Sequence, residues 1–248
     1  MPPASTPAPT APPRQRWRLV VAIPAPVGAV VEAGADGVAG PAAVRSWPAL
    51  LASSGLPVAG EGVGRGRAMP AAHLPVGVAG EREVIDLYLV ERLPAATVRA
   101  AVDAVLPAGL SLVGLHDVWV GAPSAPAGVV AADYRVHVAG PPRWVIEGAV
   151  LALLGAVTLP RERRREKKAI AYDLRPLILG LDVRGSDGSG VTLAMRLRHA
   201  SDAVGRPEEV VAALGEPPAA PLPVPLAVRS IVRERIVMAD DADVPPAP

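Results

Sequence analysis

The sequence predicts an α+β fold of two tandem ferredoxin-like units with antiparallel sheets, each running strand–helix–strand–strand–helix–strand. Three observations lead there. RWRLVVAI (Arg16–Ile23) and EVIDLYLV (Glu83–Val90) are rich in β-branched residues, and the second alternates at a period of two. Between Pro94 and Leu106 the apolar residues Val98, Val102 and Val105 recur at helical spacing, with Pro94 at the start and Pro107 and Gly109 beyond the end. A second series of strand and helix signals then follows a stretch of small residues, Ser124–Ala132.

In the first series, strand Arg16–Ile23 ends at Pro24, and the Gly/Pro/Ala-rich Pro24–Gly40 has no assignable element. Ala42–Ser54 reads as a helix stopped by Gly55, with Pro48 in its middle arguing against it. Leu56–Ala59 is a short apolar segment before a glycine-rich loop, and Leu110–Val120 is the next strand. In the second series, Tyr134–Val138 is a strand, Pro142–Gly155 a helix, and Val157–Arg163 pairs with Ala169–Leu174 as a hairpin. Ile178–Arg184 and Val191–Arg198 pair across the Gly185–Gly190 turn. Arg206–Leu214 is a short helix with Pro207, Glu208 and Glu209 in its first turn, where proline and negative charge are favoured; Val228–Met238 is the last strand. The expected organisation is a Pro-rich disordered tail (1–15), a first α+β unit (16–123), a linker (124–132), a second unit (133–238) and a disordered tail (239–248).

Composition excludes several chemistries. Half of the 248 residues are hydrophobic, enough for a core, yet there is no Phe, and Trp and Tyr number four and three. The chain has no Cys, so disulfides, Cys-ligated zinc, a thiolate nucleophile and a Cys-held iron–sulfur cluster are ruled out. The net charge of +1 gives no global electrostatic case for nucleic acid, so only a local patch can make one. The excess of Ala, Pro, Gly, Val and Arg reads as a GC-rich genome. Met1–Pro13 has no apolar stretch of a secretory signal, and Val145–Val157, interrupted by Glu147, is too short to span a bilayer. The expected location is the cytoplasm.

Two clusters carry the binding candidates. RERRREKK (Arg161–Lys168) holds six basic residues, Arg161, Arg163, Arg164, Arg165, Lys167 and Lys168, against two acidic ones, at the expected tip of a hairpin. It reads either as a phosphate-contacting arm or as a solvated turn of internal Arg–Glu pairs. In GEGVGRGR (Gly60–Arg67), Arg65 and Arg67 suit a phosphate, but there is no GK[ST], no helix is expected after the loop, and a bland inter-strand loop is the favoured reading. None of His73, His116, His137 and His199 falls in a metal-ligand spacing, so no metal is expected. His73, near the arginine loop, is the candidate general base for metal-free RNA cleavage, against ordinary exposure. Asp173 and Arg175, in a DLRP run closed by Pro176, are expected to share one side of a strand; they read either as a binding pair or, in the favoured reading, as an ion pair setting the turn.

Leu74–Ser124, Tyr172–Val183 (YDLRPLILGLDV) and Arg206–Gly215 (RPEEVVAALG), in this order and spacing, resemble the radical-SAM-linked family of uncharacterised bacterial proteins. The resemblance spans Arg16 to Met238 and makes Asp173, Arg175 and Pro176 family-motif residues. It implies a protein acting beside a radical-SAM enzyme. With no CxxxCxxC of its own, this chain is expected to be the partner and not the radical enzyme. Members carry a Ser-His-Leu-Asp signature after the first strand and a Gly-Phe-Asn-Pro-His-Pro-like loop after the first helix. Here Pro24–Ala43 holds no His, and Gly62–Arg67 holds neither His nor Asn, so the family's polar site is altered.

The functional expectation is a non-enzymatic accessory or binding module for a radical-SAM protein, serving RNA modification, without a cofactor. The alternatives are a metal-independent ribonuclease using His73 with Arg65 and Arg67, and a degenerate structural paralogue.

Overall fold

The computed structural model describes residues 11–25, 46–60, 67–75, 77–165, 168–200 and 203–241. The protein is a mixed α/β molecule with a mostly antiparallel sheet and few helices. Its first half runs β1 (Gln15–Ile23), α1 (Trp47–Ala52), β2 (Ala68–Pro70), β3 (Ala79–Leu89), α2 (Ala95–Val105) and β4 (Ser111–Val118). A short helix, α3 (Ala125–Gly128), precedes the second half: β5 (Val129–Ala139), α4 (Arg143–Gly155), β6 (Pro160–Arg165), β7 (Lys168–Asp173), β8 (Ile178–Asp187), β9 (Gly190–Arg198), α5 (Pro207–Ala213) and β10 (Ala227–Met238).

The eight-stranded main sheet has the order β4-β1-β3-β10-β5-β9-β8, with β2 also paired to β3, and β6-β7 form a separate two-stranded sheet. The order divides into two similar halves. In the first, the strands taken in chain order lie fourth–first–third–second: β4-β1-β3-β2. In the second, leaving out the β6–β7 hairpin, β10-β5-β9-β8 repeats that order. Every pairing within a half is antiparallel, whereas the halves meet through a short parallel contact of β10 with β3 at Val232–Ala79 and Arg233–Gly80.

Each half buries one sheet face under its helices. Trp17, Leu19 and Val21 of β1 and Ile85, Leu87 and Leu89 of β3, alternate residues on one face, pack with Val98 and Val102 of α2 and Leu51 of α1. In the second half Tyr134, Val136 and Val138 of β5 and Leu193, Met195 and Leu197 of β9 pack under Ile146, Val150 and Leu153 of α4 and Val210 and Leu214 of α5. No helix among the described residues is long and apolar enough to cross a membrane.

Several boundaries differ from the sequence expectation. β1 begins at Gln15, within the expected tail, and Gln15 is buried with its amide bonded to Leu93 O and Asp117. Helix α1 forms despite Pro48 because Pro48 lies in the first turn, where a missing N–H costs nothing, and the Ser46 hydroxyl caps Ala49 N. The second strand is Ala68–Pro70; Leu56–Ala59 contributes only an isolated bridge, Val58 to Leu89. Ser124–Ala132 is α3 plus the start of β5, and it is pinned to the first half's uncovered sheet face. There Arg16 donates to Ala122 O (2.7 Å) and Pro123 O (2.8 Å), and the buried Asp86 accepts Ala125 N (2.6 Å) while pairing Arg18 (3.0 Å). The second half has a comparable carboxylate. Asp133 is 2% exposed between Arg196 (2.7 Å) and Arg235 (2.8 Å). Burial pulls its pKa up, but the two guanidiniums outweigh that and leave it below the ordinary value.

Candidate functional site

The basic run forms the hairpin β6–β7, with Arg163 opposite Ile170, Arg164 opposite Ala169 and Arg165 opposite Lys168. Arg161 and Arg163 pair with acidic residues outside the run. Arg163 forks onto Glu209 at the start of α5, with Nη2 at 3.0 Å from both carboxylate oxygens, and lies 5.1 Å from the centre of the Tyr172 ring. Arg161 pairs with Glu216 at 3.0 Å. Burial, then the hydrogen bond to Glu209, pushes the Tyr172 phenol up to about 12, so it stays protonated. Thus Glu209, expected only to offset the helix dipole, is also the anchor of the hairpin. Arg164, Arg165 and Lys168 occupy the far end of the ladder, beyond these anchors. Lys167 lies outside the described residues, as does Arg65 of the glycine-rich loop.

Asp173 and Arg175 are not on one strand face, and they serve different partners. Arg175 belongs to a 3-10 turn, Arg175–Leu177, that also contains Pro176. Its guanidinium donates to Leu154 O (3.0 Å) at the end of α4 and to Ile178 O (3.2 Å). Asp173 Oδ1 accepts Leu159 N (2.7 Å) and Arg175 N (3.0 Å). The expected side-chain ion pair is replaced by two backbone staples, because the turn rotates Arg175 back toward α4. Both staples hold the base of the hairpin against the second half. Asp173→Ala is expected to destabilise the protein by about 1–3 kcal/mol, the range for orphaned backbone donors, as read by urea unfolding.

The second candidate region is the seam between the halves. A groove of about 540 Å³ is lined by Met69, Pro70, His73, Pro126, His199 and Val204, among others. His73, from the loop after β2, and His199, at the end of β9, therefore share one groove. His73 does not meet Arg67, which lies outside the groove lining, its guanidinium 4.0 Å from the centre of the Tyr88 ring. His73 is exposed, whereas burial, aided by the charge of Arg233, drops His199 to about 4, so it is neutral near pH 7. His199 Nδ1 is buried without a hydrogen-bond partner.

Beneath the groove lies a group that the sequence analysis missed. Arg233 on β10 is 0% exposed. Its Nε donates to Glu83 Oε1 (2.8 Å), its Nη2 to Glu83 Oε2, and its Nη1 to His73 O (3.0 Å). Burial opposes the charge on Arg233, but Glu83 and the Tyr134 hydroxyl outweigh it and raise the pKa. The seam is thus a cross-strap from the last strand to β3 and to the loop carrying His73. A second strap, Arg135 to Glu81 at 2.5 Å, is more exposed. In the sequence Arg233 stands among other charges, Arg229, Glu234 and Arg235, and nothing local singles it out.

His137 bonds Thr192 (3.3 Å) and Ser189 (3.0 Å) at the β8–β9 turn, and His116 is exposed on the edge strand β4. Among the described residues no group of three or more His, Cys, Asp or Glu could hold a metal ion.

Residues 66–207, more than half of the chain, match a family described as uncharacterized protein conserved in bacteria. No curated protein matches. Among solved structures, a chain from a crystal structure of a Cbf5-Nop10-Gar1 complex is similar at 11% identity and a TM-score of 0.39, over 68% of this chain. The match covers 40% of that chain's length, and at this score it carries no functional weight.

Proposed function

The chain belongs to the DUF2344 family of uncharacterized bacterial proteins, and on that footing we propose that it is a non-enzymatic accessory module that binds beside a radical-SAM protein in the cytoplasm, in the service of RNA modification. Its architecture is read as two ferredoxin-like units in tandem. The support for that is the fourth–first–third–second strand order occurring in both halves, with the β6–β7 hairpin as an insertion in the second. The observation that carries the binding role is the anchored hairpin. Arg161 and Arg163 are spent on Glu216 and Glu209, so the base is held to α5 and the cationic residues beyond it have a fixed platform. A basic arm whose base is already anchored suits a phosphate backbone, because less ordering entropy is left to lose on binding.

Replacing Arg164, Arg165, Lys167 and Lys168 by Ser, while leaving the two anchoring arginines, tests this. Tagged protein recovered from its native host at low salt is expected to bring a radical-SAM protein or a defined RNA. The quadruple variant is expected to lose it without a change in melting temperature. For RNA, the slope of log K against log salt is expected to shallow by about 3, at about 0.7 per single-strand phosphate contact. Turnover by the purified protein alone, or recovery of the same partners by the variant, would sink the proposal. Recovery of no partner and no RNA would favour a degenerate paralogue.

One observation favours a second reading, metal-independent RNA cleavage. His73 and the neutral His199 line one groove, and a pair of imidazoles can divide general acid and base roles between them. Cleavage that persists unchanged in His73→Ala would remove it.

A further inference from the structure

Beside the exposed Arg143–Glu147 ion pair (2.7 Å), the outward face of helix α4 carries an apolar stripe. Ile146, Ala149, Val150 and Leu153 point into the core. On the other side Trp144 is 73% exposed and Leu151 72% exposed, one heptad apart, and Val157 just past the helix is 90% exposed. Gly148 and Gly155 continue the same stripe, so that positions 144, 148, 151 and 155 lie along one line at spacings of four, three and four. Gly148, in the middle of the helix, costs about 0.5–1 kcal/mol relative to Ala. A Cβ added at Gly148 or Gly155 would meet nothing of this chain within 4 Å, so no internal packing calls for glycine there. The composition bias does not explain the choice either, since it enriches Ala as well and Ala is the better helix former.

We propose that this stripe joins two copies of the chain as an antiparallel helix pair about a twofold axis. If the axis crosses α4 between residues 149 and 150, position 144 faces 155 of the second copy, 148 faces 151, and 142 faces 157. The two large side chains of the helix itself, Trp144 and Leu151, then each meet a glycine. Trp144 fills the hollow at Gly155 of the second copy, Leu151 fills that at Gly148, and Val157 lies against Pro142. The pattern is complementary to itself in this register, as an isologous interface requires. Arg143, already bonded to Glu147 of its own helix at 2.7 Å, is brought beside residue 156 of the second copy, next to the C-terminal carbonyls of its α4, where the pair's cationic end is favoured. One helix stripe is smaller than the roughly 800 Å² per partner of a standard interface, so micromolar dimerisation is expected.

The absence of native cysteine makes the test direct. Trp144→Cys and Gly155→Cys chains, mixed and oxidised, are expected to form a disulfide-linked dimer. Neither variant alone should do so, because in an antiparallel pair like positions lie about 16 Å apart along the axis, at 1.5 Å per residue. Sedimentation of the wild-type protein is expected to show concentration-dependent dimers. Gly148→Gln, which favours the helix but fills the hollow, is expected to weaken them more than tenfold while leaving the melting temperature of the monomer equal or higher. A protein that stays monomeric to near-millimolar concentration, or a cross-link that also forms in either variant alone, overturns the proposal; in the first case the stripe belongs to a helix of another protein.

Discussion

Arg233→Met is expected to unfold the seam. Arg233 is wholly buried and provides the charge that compensates Glu83, itself 5% exposed. Removing one partner of a buried pair leaves an uncompensated charge, at a cost of about 3–5 kcal/mol. The same substitution orphans His73 O and Ala72 O. For a chain of this size the loss corresponds to a fall in melting temperature of roughly 6–20 °C. Hydrogen exchange should rise first at Ala79, Gly80 and the loop carrying His73, before the helix-covered cores exchange. A double variant, Arg233→Met with Glu83→Leu, should recover most of the lost stability, because the pair can be replaced by apolar packing far more cheaply than it can be broken. A single variant as stable as the wild type would mean that water, not protein, solvates Glu83.

His199 should give the protein an acid limit well above that of its carboxylates. Its imidazole is held neutral in the folded state, with a pKa near 4 against 6.5 when exposed. Below pH 6.5 the unfolded chain therefore takes up a proton that the folded chain refuses. Stability must fall as pH drops from 6.5 to about 4, then stop falling on this account. The full effect is about 3 kcal/mol, at about 1.36 kcal/mol for every tenfold difference in proton affinity between the folded and unfolded chains. Urea midpoints measured from pH 7.5 to 4 check it. His199→Leu should flatten that slope. The Asp133 carboxylate acts in a different window. Its depressed pKa stabilises the fold above the ordinary carboxylate value of 3.8 and is lost only as pH falls below it.

The elements with a clean period were legible in the sequence. β1, β3, α2 and β9 stand within a few residues of their expected bounds because their buried faces alternate or recur without interruption. β2 was not, because three residues, Ala68–Pro70, are too few to display any period, and their pairing is imposed by β3. The first half of β5, Val129–Asp133, reads as small residues with no side to it. It is a strand because β9 and β10 flank it on both edges. Site residues followed the same division. The run Arg161–Lys168 is visible as a local charge density, but its anchors, Glu209 and Glu216, lie about fifty residues away on another element. Arg233 and Glu83 are separated by 150 residues, and each sits in a segment, RERIV and EREV, whose charges look like those of a solvated strand. Only the meeting of the two halves turns those faces inward.

The last strand also sets the order in which this chain can be completed during synthesis. β1 to β4 and their helices contain everything needed to close the first half. The second half cannot close, because its fourth strand is β10, and among the described residues β10 is also the one strand of that half that pairs with a strand of the first. Until residues 227–238 leave the ribosome, β5 presents an unpaired edge and Glu83 waits without its counter-charge. A nascent chain stalled before Ala227 would thus expose the open edge of β5 and a charge buried in the finished protein, a combination that chaperones and proteases recognise as unfinished.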